Sequence, residues 1–248
     1  MKRFFVQNRV SVGQRVVITG SEERHITRVL RLESGDRIVV FDGTGFDYEA
    51  EIREVSREGT RVAILRKYPS RQESQARITI AQALLKGKKM DILLRQMTEL
   101  GIAKWVPFLA ERSIPKPNHH RQADRLERWQ AIVKEALKQC RRGEFTHVHP
   151  VVSFSEMLLL APTGGIKLIF WENATKPLMR GLPSSCGDSP EIWIVLGPEG
   201  GFAEAEIQAA EAAGFETVSL GSRILRAETA SVAACVLMQH IFGDMGRM

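Results

Sequence analysis

The sequence is poor in cysteine, in long apolar stretches and in nucleotide-fingerprint glycine patterns, and each shortage removes a class of protein. Cysteine occurs only at Cys140, Cys186 and Cys235, an odd number set far apart. That spacing fits neither a disulfide framework nor the paired ligands of a zinc site, so the thiols are expected in packing and no metal is expected. The longest run without a charged residue, Thr229 to Gly243, falls short of the roughly 20 apolar residues that a bilayer-spanning helix needs, and it contains Gln239 and His240. No membrane helix is predicted. The start, Met1-Lys-Arg-Phe-Phe-Val6, is basic but continues into Gln7, Asn8 and Arg9 rather than an apolar signal core, which points to a cytoplasmic protein. Neither G-x-G-x-x-G nor G-K-[ST] is present, which excludes the dinucleotide fingerprint and the phosphate loop of NTPases. With the fingerprint goes the reading as an NAD-dependent oxidoreductase. No internal repeat and no low-complexity tract is found.

What remains is globular material: 44% hydrophobic and 26% charged over 248 residues, enough for one large domain or two small ones. Its charge is unevenly spread. Residues 1–150 hold 29 Lys and Arg against 18 Asp and Glu, a net +11, whereas residues 151–248 hold 6 against 11, a net −5, and the two return the whole-chain +6. Blocks of opposite sign suggest an anionic partner gripped mainly by the first part, with a solvated basic surface as the alternative.

Residues 1–72 read as short strands at Phe4–Val6, Arg15–Thr19, Asp36–Phe41, Phe46–Val55 and Thr60–Tyr68. Alternation is clearest in Tyr48-Glu-Ala-Glu-Ile-Arg-Glu-Val55, and Gly35-Asp36 and Asp42-Gly-Thr-Gly45 supply turns. One helix interrupts them, starting near Ser21, which can cap it, with Ile26, Val29 and Leu30 on its buried side. A small β-barrel is the economical fold, and such barrels often bind oligonucleotides. The polar stretch Pro69–Gln75 is read as a linker.

From Arg77 onward strands alternate with helices, the pattern of a parallel sheet covered by helices. Strands are expected at Ile78–Leu84, Trp105–Leu109, His147–Val151, Lys167–Trp171, Ile192–Leu196 and Thr217–Leu220. Residues 89–100 carry Met90, Leu93, Leu94, Met97 and Leu100 on one stripe, and residues 121–140 carry Leu126, Trp129, Val133, Leu137 and Cys140. Gly101 and Gly143 stand where helix ends want them. The last helix, around Ala230–Met238, has no charged position, so it is buried on several sides, inside the fold or in a subunit interface.

Two glycine-bearing segments follow late strands. Leu196-Gly-Pro-Glu-Gly-Gly-Phe202 lies between the apolar strand Ile192–Leu196 and a helix over Ala203–Ala213. Ligands of open parallel sheets collect at the carboxyl ends of strands, and glycine lets a backbone approach a ligand closely. A tight structural turn is the plain alternative. The second segment, Thr217–Arg226, passes through Gly221 into a stretch where Ile224 and Leu225 can line an adenine pocket while main-chain groups read the ring's edge. Glu228 and Thr229 then open the last helix, where a carboxylate meets the positive helix end and Thr can cap it, so capping and catalysis both stay open for Glu228.

Taken together, Gly197-Pro-Glu-Gly-Gly-Phe202 and Leu220-Gly-x-Arg-Ile-Leu-Arg-x-Glu-Thr-Ala230 resemble the cofactor signature of the RsmE family, the small-subunit ribosomal RNA uracil-N3 methyltransferases of the SPOUT superfamily. The likeness extends over essentially the whole chain. His25-Ile-x-Arg-Val-Leu-Arg31 and Phe41-Asp-Gly43 are similar to its N-terminal PUA-like domain, and Thr98-Glu-Leu-Gly101, Glu111-Arg-Ser113 and Gln139-Cys-x-Arg142 to its catalytic domain. The chain departs from the family at Arg95-Gln96, where a Gln-Lys pair is common, and at Lys138, where a Glu is.

The resemblance implies a PUA-like β-barrel over residues 1–72 and an α/β SPOUT domain over 73–248, with the last helix threaded as a deep trefoil knot and helping to form a homodimer. It implies S-adenosyl-L-methionine held by Leu196, Gly197, Pro198, Glu199, Gly200 and Gly201 and by Leu220, Gly221, Ile224, Leu225, Arg226, Thr229 and Ala230. The acceptor it implies is N3 of one uridine, expected at U1498 of 16S rRNA, in free RNA or the small ribosomal subunit. That atom carries a proton and is hydrogen-bonded inside a duplex, so the site must remove the proton or stabilise the anion left behind, and the base must be unpaired or flipped out. Arg226 is assigned to polarising the base, with a rival role as partner of the cofactor carboxylate or of Glu228. Glu199 and Glu228 are assigned to proton acceptance or loop support. RNA grip is placed on Arg9, His25, Arg28, Arg31, Lys86, Lys88, Arg112, Arg141 and Arg142, with Arg28 and Arg31 on one helical face, and should weaken steeply with salt. A non-catalytic RNA-binding assembly factor and a SPOUT methyltransferase with another RNA target are the alternatives.

Overall fold

A computed structural model describes residues 1–56, 58–70, 74–115, 122–183, 187 and 189–246. Cys186, the linker positions 71–73 and the expected helix start at Arg121 lie outside the described residues. The chain forms two compact units, Met1–Glu73 with Leu137–Phe145, and Ser74–Ala136 with Thr146–Met248. The stretch Leu137–Phe145, which a linear boundary after residue 72 assigns to the second domain, thus falls in the first unit.

In the first unit, β1 (Arg3–Phe5), β2 (Arg15–Ile18), β3 (Arg37–Phe41), β4 (Phe46–Ser56) and β5 (Gly59–Pro69) form one curled sheet in the order β1-β3-β4-β5-β2. The two-residue period turns Tyr48, Ala50 and Ile52 inward onto Phe4, Ile38, Val40, Val62 and Ile64. Irregularities at Glu49/Ala50 and Ile52/Glu54 interrupt the long β4–β5 ribbon, and bulges of this kind bend and twist a strand pair.

The helix expected at Ser21 differs in three respects. Its first turns are α1 (Gly20–Arg24), entered through Thr19 without a side-chain cap, so Ser21 caps nothing. It continues as a π-helical turn over His25–Val29, where the Leu30 amide reaches back five residues to the His25 carbonyl. The wider turn rotates the stripe, so that Ile26 stays fully buried while Val29 is 69% exposed. Arg31 takes φ 52°, so it leaves the helix and shares no helical face with Arg28.

Arg3 fastens Leu137–Phe145 to this sheet. Its guanidinium binds both Asp47 carboxylate oxygens, donates to the carbonyls of Leu137 and Arg142, both at 2.7 Å, and lies 3.7 Å over the Phe41 ring. Lys138, the family departure, pairs with Glu22 at 3.0 Å, both side chains being almost buried. Gly143 is no helix cap: Arg141 holds the left-handed position at φ 64°, whereas a Cβ on Gly143 would sit 2.3 Å from Ser70. Glycine is needed there for close approach.

The second unit holds β6 (Arg77–Ala83), α2 (Lys89–Glu99), β7 (Lys104–Leu109), α3 (Gln122–Cys140, of the first unit from Leu137), β8 (His147–Val148), β9 (Val152–Ser153), α4 (Phe154–Leu160), β10 (Ile166–Phe170), α5 (Leu178–Gly181), β11 (Glu191–Leu196), α6 (Glu204–Ala212), β12 (Glu216–Val218) and α7 (Ala227–Ile241). The sheet runs β12-β10-β11-β6-β7-β8, with β9 also on β7, and every pairing is parallel. Helices on a parallel sheet bury both its faces, which is why Ile192 to Leu196 are all buried. The single strand expected at His147–Val151 is split in two, and Pro150, which has no N–H to donate, lies in the break.

Gly101 closes α2 as expected. At φ 87° it allows its own amide to reach the Thr98 carbonyl and the Ile102 amide to reach that of Met97, the paired bonds of a Schellman cap. A Cβ there would also lie 2.7 Å from the amide nitrogen of Gln239, which is fully buried in α7 and donates to the Leu100 carbonyl. Ser231, Ala234, Cys235 and Met238 of α7 are buried too.

Candidate functional site

The carboxyl ends of β10, β11 and β12, three adjacent strands, open into a cleft of about 610 Å³ within the second unit. That is the size of a small-molecule site. Both glycine segments line it, Leu196 to Gly201 after β11 and Ser219 to Arg226 after β12, together with Trp171 and Glu172 after β10, Lys89 of α2 and the start of α7.

The first loop is held from several directions. Gln82, fully buried at the end of β6, donates through its amide nitrogen to the carbonyls of Ala83 (3.1 Å), Gly197 (3.2 Å) and Leu196 (3.5 Å), and its oxygen accepts from Ser231 of α7 at 2.6 Å. The Glu199 carboxylate accepts from the Lys86 amide at 3.2 Å and from Lys89 Nζ at 3.1 Å. Arg112 donates to the Gly200 carbonyl at 3.2 Å. Phe202 closes the loop among Phe108 and Phe154, stacked 6.5 Å from the first and tilted 6.1 Å from the second. Gly201 holds φ 69°, and a Cβ on it would run into the Glu172 carboxylate.

Lys89 Nζ also lies 3.2 Å from Glu228 of α7, so one ammonium serves two carboxylates. Those two partners push the Lys89 pKa up, Glu199 most. Burial alone would raise the Glu199 carboxyl, but hydrogen bonds from its own amide, Lys89 and the Lys86 amide outweigh that and hold it below its ordinary value.

The second loop has fewer ties. The Ser219 hydroxyl accepts from the Gly221 amide at 3.2 Å and donates to that residue's carbonyl at 3.1 Å. Gly221 sits at φ 113°, a conformation side chains avoid, with open space where a Cβ would stand. Ile224 is 86% exposed, Leu225 half-buried and Arg226 exposed. The Arg226 side chain makes no hydrogen bond or ion pair among the described residues, and the cation that meets Glu228 is Lys89, not Arg226. Helix α7 starts at Ala227 with Arg226 as its N-cap, so Thr229 lies inside the first turn and caps nothing, while Ala230 donates its amide to the Arg226 carbonyl.

This geometry has relatives. The RNA methyltransferase domain family matches residues 72–239, and the RNA methyltransferase PUA domain family matches residues 18–65. Ribosomal RNA small subunit methyltransferase E of Bacillus subtilis is 32% identical over 94% of each chain, and its Synechocystis counterpart 34% identical over 88% of this chain and 71% of its own. The chain belongs to this methyltransferase family. Among solved structures, the Neisseria gonorrhoeae enzyme bound to S-adenosyl methionine is similar at 36% identity and a TM-score of 0.89, covering 99% of each chain. A Legionella pneumophila structure with bound SAM, 30% identical, reaches a TM-score of 0.90 over 98% of each chain.

Within this family frame, the structure divides the expected RNA-contact residues between the units. Arg9, His25, Arg28, Arg31, Arg141 and Arg142 lie in the first, and Lys86, Lys88 and Arg112 in the second. Arg9, Arg28, Arg31, Lys86, Lys88, Arg112 and Arg141 are exposed, while His25 and Arg142 are half-buried, His25 edge-on to Phe4 with ring centroids 5.9 Å apart. Among the described residues no group of three or more His, Cys, Asp or Glu could hold a metal ion, and no helix is long and apolar enough to cross a membrane. Lys89 and Glu172, which line the cleft, and Gln82 and Ser231, which brace its first loop, do not stand out in the sequence.

Proposed function

We propose that this chain methylates N3 of one uridine, expected at U1498, in the 16S rRNA of the small ribosomal subunit, with S-adenosylmethionine as donor. The observation that carries the reading is the meeting of both glycine loops in one cleft, in a chain whose Neisseria relative was solved with that cofactor. The residues present fit it: Gly221 leaves open space at the cleft, Gly201 holds a left-handed backbone that side chains avoid, and Leu225 and Ile224 offer apolar contact for an adenine. The cofactor supplies an electrophilic methyl group on a sulfonium.

The protein's part is to align the acceptor and to support the charge that N3 acquires on losing its proton. Arg226, exposed at the cleft and with a side chain that has no partner among the described residues, is the cation for the uracil oxygens. Glu199 is a poor proton acceptor, because Lys89 and two amides hold its carboxyl below the ordinary range, so its role is loop support. The first unit, with its arginines, grips the RNA, and the same reading threads α7 as a trefoil knot and pairs two chains. Mapping of small-subunit rRNA by mass spectrometry in cells lacking this protein tests the proposal. Loss of one N3-methyluridine is expected, and an unchanged modification pattern refutes it.

A further inference from the structure

We infer that Lys89 is a positioning residue that holds the two cofactor loops in register, by joining Glu199 of the first loop to Glu228 in the helix turn that follows the second. The inference rests on the reading of the cleft as the cofactor site. Lys89 is the first residue of α2 and lies 110 positions before Glu199 in the chain, so only the fold brings them together. Its ammonium stands 3.1 Å from Glu199 Oε1 and 3.2 Å from Glu228 Oε2, and the Glu228 carboxylate has no other hydrogen-bond or ion-pair partner among the described residues. Removing the ammonium leaves two carboxylates facing each other across a few ångströms, and like charges at that range push their elements apart.

Gln82 makes a neutral counterpart of this link, joining the carbonyls of the first loop to Ser231 on the same helix, one turn beyond Glu228. Two bridges from the β6–α2 stretch therefore fix the first loop against the start of α7, Gln82 buried and Lys89 at the cleft. The lysine bridge is half-exposed, and exposed pairs add little to global stability. Its effect falls instead on the geometry of the cleft.

The test compares wild type, Lys89→Met and Lys89→Arg by calorimetric titration with S-adenosylmethionine, by turnover, and by hydrogen exchange of the cofactor-free protein. For Lys89→Met the expected results are a cofactor Kd and KM raised about tenfold or more, an RNA affinity within twofold of wild type, and faster exchange at residues 197–202 and 227–231. Lys89→Arg, whose fork can serve both carboxylates, should recover most of the affinity. If Lys89→Met folds poorly, Glu228→Gln cuts the same link from the other side and should give the same exchange pattern. A Lys89→Met protein with wild-type cofactor affinity and exchange, or one that loses RNA affinity alone, overturns the inference while leaving the cofactor reading standing. A wild-type protein that fails to bind the cofactor overturns both.

Discussion

The two loops of the cleft follow neighbouring regions of one sheet, yet they are built differently. The first is tied by Gln82, the Lys86 amide, Lys89 and Arg112 and ends on a buried phenylalanine cluster, whereas the second carries its own Ser219–Gly221 turn and presents Ile224 and Arg226 to solvent. The contrast separates two tasks. A loop fixed by the protein supplies a reference surface, and a loop with few internal partners keeps its donors for the substrate and cofactor.

The comparison breaks most sharply at Arg226. Arg226→Ala should lower kcat by about 10²- to 10³-fold, the loss typical of one donor to a developing oxyanion. Its unfolding midpoint should stay at the wild-type value, because the side chain makes no bond among the described residues that could be lost. A variant with wild-type turnover at saturating RNA and cofactor would remove Arg226 from the chemistry. On the tied loop the expectation reverses, and Gln82→Leu should cost about 2–3 kcal/mol in urea unfolding, since it strands the buried carbonyls that Gln82 serves, while the Ser231 hydroxyl keeps the Ala227 carbonyl as acceptor. A cost under about 1 kcal/mol would show that water replaces the amide readily.

The smallest effect concerns pH. The Glu199 carboxyl is depressed on folding, so its contribution to stability is fully present above the ordinary carboxyl pKa of 4.5 and is lost as pH falls through the lower folded value. The stability gap between wild type and Glu199→Gln should therefore be flat from neutral pH down to about 5 and close in stronger acid. A gap that widened in acid would contradict the assignment of Glu199 as a tether.

Much of the fold was legible because each sheet has its own sequence period. Alternation in Tyr48–Val55 and continuous apolar runs such as Ile192–Leu196 each admit one reading, and the glycines of both loops stood out by position. The π-helical turn at His25–Val29 was not legible, since its sequence pattern differs from that of an α-helix only in the one residue that faces outward. Short-range reasoning also misled at four places: Arg226 was offered to Glu228 because they are neighbours in sequence, Gly143 was read as a helix cap because it follows a helix, and Ser21 and Thr229 as caps because they lie near helix starts. In each case a residue remote in sequence, or a boundary two residues away, decided the matter. Lys89 and Gln82 carry no local signal of their roles, because the loop and helix groups they join lie more than a hundred residues downstream.

The placement of Leu137–Phe145 has a consequence for how the molecule can be taken apart. The chain passes between its two units three times, at residues 73–74, 136–137 and 145–146, so no single cut releases the first unit whole. A fragment ending at residue 73 would keep Arg3 and Asp47 but lose the Leu137 and Arg142 carbonyls that Arg3 serves, leaving part of a nearly buried guanidinium unsatisfied. The first unit, on which the RNA grip is proposed, is therefore no detachable module, and a lineage that shed or swapped it would have to replace the end of α3 in the same step.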